Sequence, residues 1–273
     1  NSDPWFVSGI GNFGYSRLPG IEGSSYAHFR ISKSIRVPAI YFGANEGMLH
    51  AINANDGAEL FTYVPDAVIG SLNKLTSPLY GCTENGCIPH RYFVDGPAKS
   101  ADAYVNLGSG AEWHTILVGT LGAGGKGIFA LDITNPEHTA TTGISGVSNS
   151  SLSAFSESNI LWEISPTQPT QSQTKHDNDL SKIQNHLGYT ISQASIVRMN
   201  NGKWAAIVAN GYDSNNNKAV LFIIDIETGE IMKMINTGEG SSSSPNGLST
   251  PIVIDNNGDR MIDTIYAGDL RGN

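Results

Sequence analysis

Charge is scarce in this chain. Asp, Glu, Lys and Arg make up only 15% of its 273 residues, and the net charge is −9. No basic cluster runs beyond a few residues, so nothing neutralises a phosphate backbone and no nucleic-acid partner is expected. Long apolar runs are missing too: no stretch approaches the ~20 residues of a membrane span. There is no secretion signal, and the first residue is Asn1, not Met. Asn1 is therefore expected to be a processed or excised start, and the missing signal is silent on export. Long amphipathic helix patterns are rare. The chain has no G-x-S-x-G, no H-E-x-x-H and no close carboxylate pair in a helical frame. Its seven histidines are scattered. His50, in a predicted strand, and His114, beside Trp113, read as packed or hydrogen-bonded residues, not bases. Nothing positive points to an enzyme.

Glycine, serine, asparagine and threonine are what the chain has in quantity. With 31 glycines and 39% hydrophobic residues, this composition suits an extracellular β protein better than a cytosolic helical enzyme. Short β-branched or aromatic runs bounded by Gly, Asn or Asp read as strands. They recur in a degenerate repeat. One unit is Ile40 to Gly43, Leu49 to Ile52 and Leu60 to Val64. A second is Ile116 to Gly119, Gly127 to Ile133 and Ile160 to Ile164. A third is Ala206 to Ala209, Ala219 to Ile226 and Ile231 to Ile235, and a fourth opens at Thr264. Each unit is strand, Gly-rich turn, strand, Asp/Thr-Gly turn, strand. Repeated antiparallel units of this kind make the blades of a β-propeller. A β-sandwich is the rival, but it leaves the recurring turn unexplained.

The fold class is thus all-β. Residues 1–38 read as a lead-in, and residues 39–273 as a partial propeller of about four blades. The last blade is incomplete: Tyr266-Ala267-Gly268-Asp269-Leu270-Arg271-Gly272 lines up with Tyr41-Phe42-Gly43-Ala44-Asn45-Glu46-Gly47, and the sequence ends at Asn273. A blade cut there exposes an unpaired edge, so the remainder of the same propeller is an expected partner. Two polar loops, from Ser165 to Ile183 and from Gly238 to Gly247, are expected to be solvated and mobile.

The sharpest chemical motif is Asp255-Asn256-Asn257-Gly258-Asp259-Arg260-Met261-Ile262-Asp263. Side-chain oxygens fall at positions 1, 3, 5 and 9, the spacing of a loop that wraps calcium. The expected ligands are Asp255, Asn257, Asp259, the Met261 carbonyl and Asp263. The loop joins two predicted strands, so it is not a helix-loop-helix site. A polar hairpin turn is the competing reading. One departure is plain: many such loops place Gly sixth, where this one has Arg260.

Cys82 and Cys87 bracket an Asn-Gly turn signal, and a small disulfide loop is the favoured reading. A partial metal site with His90 is the alternative, without a fourth ligand at a recognisable spacing. Gly122-Ala123-Gly124-Gly125-Lys126-Gly127 matches G-x-G-x-x-G but leads into a strand, so it reads as a hairpin and not as a phosphate site. Asp213-Ser214-Asn215-Asn216-Asn217 lacks a closing carboxylate and reads as a hairpin loop.

Several blocks, in order, resemble the C-terminal domain of the PilC/PilY family: Gly43 to Ala51, Tyr92 to Gly96, Leu121 to Asp132, Asn210 to Ser214 and Asp255 to Asn273. The resemblance covers nearly everything from about Ile40 onward. It implies a modified, quinoprotein-like propeller of seven blades, of which this chain supplies roughly the first half. It also implies a calcium loop with the five ligands named above. The family's large bacterial proteins are associated with the tip and biogenesis of type IV pili, with the balance of extension and retraction, and with twitching motility. They also adhere to host cells or other surfaces. Minor pilin subunits and a surface ligand are the implied partners, at the pilus tip or the bacterial outer surface. A quinoprotein-type dehydrogenase and a carbohydrate-binding propeller are the alternative functions. The first is disfavoured by only four tryptophans and by non-adjacent cysteines.

Overall fold

The computed structural model describes residues 2–137, 155–166 and 180–273. Most of the polar loop between Ser165 and Ile183 lies outside the described residues.

Three four-strand antiparallel sheets follow one another along the chain. The first runs β1 (Trp5–Val7), β2 (Ala39–Gly43), β3 (Leu49–Asn53), β4 (Glu59–Tyr63). The second runs β5 (Ala98–Asn106), β6 (Ala111–Thr120), β7 (Ile128–Asp132), β8 (Ile160–Ile164). The third runs β9 (Ser195–Met199), β10 (Trp204–Ala209), β11 (Val220–Asp225), β12 (Ile231–Asn236). A fourth unit begins with β13 (Ile252–Ile254) paired to β15 (Thr264–Tyr266). Between them, β14 (Met261–Ile262) adds a fifth strand to the third sheet. Among the described residues there are three α-helices: α1 (Gly20–Ser32), α2 (Asp66–Leu72) and α3 (Leu180–His186).

The repeat is physical as well as textual. In all three sheets the ladder shifts register at the same place, between Ala51 and Ile52, Ala130 and Leu131, and Ile223 and Ile224. An Asn or Asp then closes the turn. Asn53 Oδ1 accepts the Asn55 amide, Asp132 Oδ1 the Thr134 amide, and Asp225 Oδ1 the amides of Glu227 and Thr228. These side chains do what the Asp/Thr-Gly signal requires: they satisfy turn amides locally and fix where the next strand starts.

Strand alternation buries both faces of the inner sheets. Ile116 and Val118 of β6 join the core between the second and third sheets, while Leu117 joins the core between the first and second. On β11, Val220, Phe222 and Ile224 face the second sheet, and Leu221 and Ile223 face the start of the fourth unit. Face-to-face stacking of twisted sheets is the blade packing of a propeller. The sheets do not close into a ring here, as befits part of one.

The lead-in stretch is built into this stack. β1 pairs with β2, and Tyr15 stacks on Trp113 of the second sheet at 5.5 Å, with Trp204 of the third sheet edge-on at 4.9 Å. Beneath this aromatic group lies a buried polar network. Asp102 is fully buried in β5. Its Oδ2 accepts the Tyr26 hydroxyl (2.7 Å) and the Lys33 ammonium, and its Oδ1 accepts the Thr115 hydroxyl (2.8 Å). Arg36 donates to Thr115 Oγ1 at 2.8 Å and to the Ser8 carbonyl at 2.8 Å. Burial lowers the Lys33 pKa, and Asp102 pulls it back toward the charged form. The network ties α1 and the residues after it to the second sheet.

His50 on β3 is held at both ring nitrogens, Nδ1 by Glu59 at 2.9 Å and Nε2 by Glu46. Partial burial works against its charge, but the two carboxylates outweigh it and raise the pKa above 6.5. A folded pKa above the unfolded one favours folding at low pH. That contribution fades as pH rises through the folded value. An NMR titration of His50 is expected to give a midpoint above 6.5 that drops in E46Q/E59Q.

The loop from Gly238 to Gly247 is less free than its composition suggests. Asn246 is fully buried and donates through Nδ2 to Asp269 Oδ2 at 2.8 Å. One buried amide with a fixed partner anchors an otherwise polar segment.

Candidate metal centre

The nine-residue loop runs from the end of β13 to the start of β15, where Ile254 pairs with Thr264. It is not a simple hairpin tip. Met261 and Ile262 leave the loop to pair in parallel with Arg198 and Met199 of β9. The loop therefore bridges the third sheet and the start of the fourth unit.

Its carboxylates organise the turn. Asp255 Oδ1 accepts the amides of Gly258 (2.7 Å) and Asp259 (3.2 Å), and Oδ2 accepts that of Arg260 (2.8 Å). Asn257 Oδ1 accepts the Asp259 amide at 2.9 Å, Asp259 Oδ1 the Met261 amide at 2.8 Å, and Asp263 Oδ2 the Asn256 amide at 2.8 Å. Desolvation raises the Asp255 pKa, but the amides of Arg260, Gly258 and Asp259 outweigh it, and the net shift is downward. Bonds to the charged form favour that form.

Arg260, in the sixth place, has φ +72°. This is the left-handed conformation that a glycine usually supplies in calcium loops. The departure from Gly is one of residue type, not of backbone shape. Arg260 costs strain there and gains a second contact, because its guanidinium lies against Gly14. A Cβ on Gly14 would sit 2.9 Å from Arg260 Nε and Nη2, and Gly14 itself has φ +76°. The loop thus also touches the N-terminal segment. Nearby, Arg198 Nε donates to Glu22 of α1 at 2.8 and 3.1 Å. G14A is expected to lose about 1–3 kcal/mol of stability through a strained φ and displacement of Arg260, read by urea unfolding. The loop amides of Gly258 to Met261 should shift with it in an NMR spectrum.

The donor set suits calcium: Asp255, Asn257, Asp259, the Met261 carbonyl and Asp263 offer only hard oxygens. The turn suits it as well. Yet among the described residues no three His, Cys, Asp or Glu side chains converge closely enough to hold a metal. The loop's carboxylates, as placed, serve backbone amides.

Cys82 and Cys87 are joined by a disulfide, with Cα atoms 5.5 Å apart. His90 packs instead between the rings of Tyr80 (6.0 Å) and Tyr92 (5.5 Å). The segment Gly122–Lys126 connects β6 to β7 as a turn, and residues 213–217 connect β10 to β11 with Asp213 and Asn217 at positive φ.

A model of the PilY1 β-propeller domain matches residues 1–273. The chain belongs to the PilY1 β-propeller family. It is 38% identical over 273 residues to the type IV pilus biogenesis factor PilY1 of Pseudomonas aeruginosa, covering all of this chain and 20% of that protein. A PilY1 homologue of Xylella fastidiosa is 36% identical over 286 residues, with 100% and 16% covered. The crystal structure of the P. aeruginosa PilY1 C-terminal domain superposes with a TM-score of 0.63 at 37% identity, over 91% of this chain and 40% of that one. The chain therefore spans about a fifth of the length of its P. aeruginosa relative. These relatives are named as biogenesis factors of the type IV pilus, not as enzymes. Among the described residues no helix is long and apolar enough to cross a membrane.

Sequence reasoning did not single out Arg198, Glu22, Asp102 or Gly14. Only Asp102 carried a local signal, an acid flanked by Ala101 and Ala103. The others matter through contacts between distant segments.

Proposed function

We propose that this chain is a calcium-responsive, non-enzymatic part of a type IV pilus biogenesis protein. The observation that carries the reading is the whole-chain match to PilY1 biogenesis factors at 38% identity. Calcium would be held by Asp255, Asn257, Asp259, the Met261 carbonyl and Asp263, where it would supply positive charge between carboxylates. The loop joins the third sheet to the fourth unit and abuts Gly14, so ordering it would stiffen the seam between them. In this reading the protein works at the bacterial outer surface or the pilus tip, with minor pilins and a host or other surface as partners. It biases extension against retraction and so supports adhesion and twitching.

The test is complementation. Cells lacking the protein are expected to shed few or no pili on shearing. The wild type should restore them, and D255A/D259A should restore them without the normal response to calcium. Unchanged piliation and twitching in the deletion strain would overturn the assignment.

A further inference from the structure

A pocket of about 270 Å³ lies apart from the calcium loop. Among the described residues it is walled by α2, with Val68; by the segment Arg91 and Tyr92 that leads toward the second sheet; by the turn of Gly125 and Lys126 between β6 and β7; and by Pro166 and Tyr189. Among the described residues, two that line it are cations and none is an acid. In a chain with 25 acidic and 16 basic residues, that bias selects for a negative ligand.

Each cation is placed differently. Arg91 is exposed and makes no ion pair with the described residues. Its planar fork is free for a carboxylate. Lys126 is steadied. Its ammonium donates to the Asp213 carbonyl, lies 3.4 Å from the Asp213 carboxylate, and sits 5.4 Å from the centre of the Tyr189 ring. Tyr92, 46% exposed, supplies a ring face with a polar end, while the Tyr189 ring stacks on Tyr212 at 5.3 Å.

We propose that this pocket binds one carboxylate-bearing sugar unit, of the uronic acid kind. The carboxylate meets Arg91 and Lys126. The flat C–H face of the pyranose lies on a tyrosine ring, whose hydroxyl suits the sugar's own hydroxyls. The volume falls at the small end of ligand pockets and fits a single sugar, not an extended chain. A peptide added along a sheet edge would want strand-like main-chain pairing, and among the described residues no lining residue belongs to a named strand.

The test uses the full-length protein and saturation-transfer NMR with D-glucuronate, D-glucose, acetate and a short peptide with a free C-terminal carboxylate. Glucuronate is expected to bind, and glucose and acetate to bind at least about tenfold more weakly, since charge-assisted hydrogen bonds carry the selectivity. R91A and K126M should each weaken glucuronate about tenfold or more on the same grounds. Y92A, at an exposed site that leaves the fold intact, should weaken glucuronate and glucose alike. No glucuronate binding, equal binding of acetate, or glucuronate binding that survives both R91A and Y92A overturns the proposal. Preferential binding of the peptide overturns it in favour of a protein partner. None of these outcomes depends on calcium, so failure here leaves the calcium reading standing.

Discussion

D102A is expected to cost about 3–5 kcal/mol of stability. Asp102 is fully buried, and four groups rely on it directly or at one remove: Tyr26, Lys33, Thr115 and Arg36. Removing it leaves an ammonium in an apolar core with no counter-charge. The lost side chain is small, so the cavity is secondary to the orphaned charge. Urea unfolding followed by tryptophan fluorescence reports this directly, because Trp113 touches Tyr26 at 4.6 Å. The double variant K33M/D102L removes both charges and keeps the volume. It should recover much of the loss, since a buried pair is rarely better than well-packed apolar residues. Equal losses in both variants would mean that the pair is not the cause.

The same residue shows why part of the fold was hard to see in the sequence. Strands β2 to β4, β6 to β8 and β10 to β12 announce themselves through β-branched runs and Asn/Asp turns. The opening strand of each sheet does not. β5 opens Ala98-Lys99-Ser100-Ala101-Asp102-Ala103, with little β propensity and a charge at the centre of the strand. It is a strand because Ala residues let Tyr26 and Trp113 pack close and because Asp102 has partners 69 and 76 residues away. β1 has only three residues, and α1 lies between it and its partner strand. Helix α1 carries Gly20, Gly23 and three serines, a poor helix former by propensity. Its support is tertiary: Lys33 just past its end on Asp102, Glu22 on Arg198 and Tyr26 in the aromatic group. The nine-residue loop from Asp255 to Asp263 was legible as a turn between two strands. The two-residue strand β14 inside it was not, since two residues carry no period. Its pairing to β9 is what turns a local turn into a junction.

That junction gives the second large effect. Calcium at a thousand times its dissociation constant is expected to stabilise the protein by about 4 kcal/mol, with a measurable heat in calorimetric titration of chelator-treated protein. The loop's residues should not respond alike. Asp255 has two tasks, because its oxygens already hold the amides of Gly258, Asp259 and Arg260. D255A should therefore abolish the calcium response and also loosen the loop in chelator. Asp259 holds one amide, that of Met261, and Asp263 one, that of Asn256. D259A and D263A should lose the calcium response while the chelator-treated protein stays close to wild type. Acid should mimic D255A. A carboxylate with a depressed folded pKa stabilises the fold above its unfolded value of 3.8 and loses that contribution as pH falls through the folded value. Calcium binding, which needs the charged form, should fade over the same range. A titration with no heat, or a calcium shift in unfolding that survives D255A and D259A, would reduce the loop to an amide-capped turn. The bridge to β9 would then be its whole role.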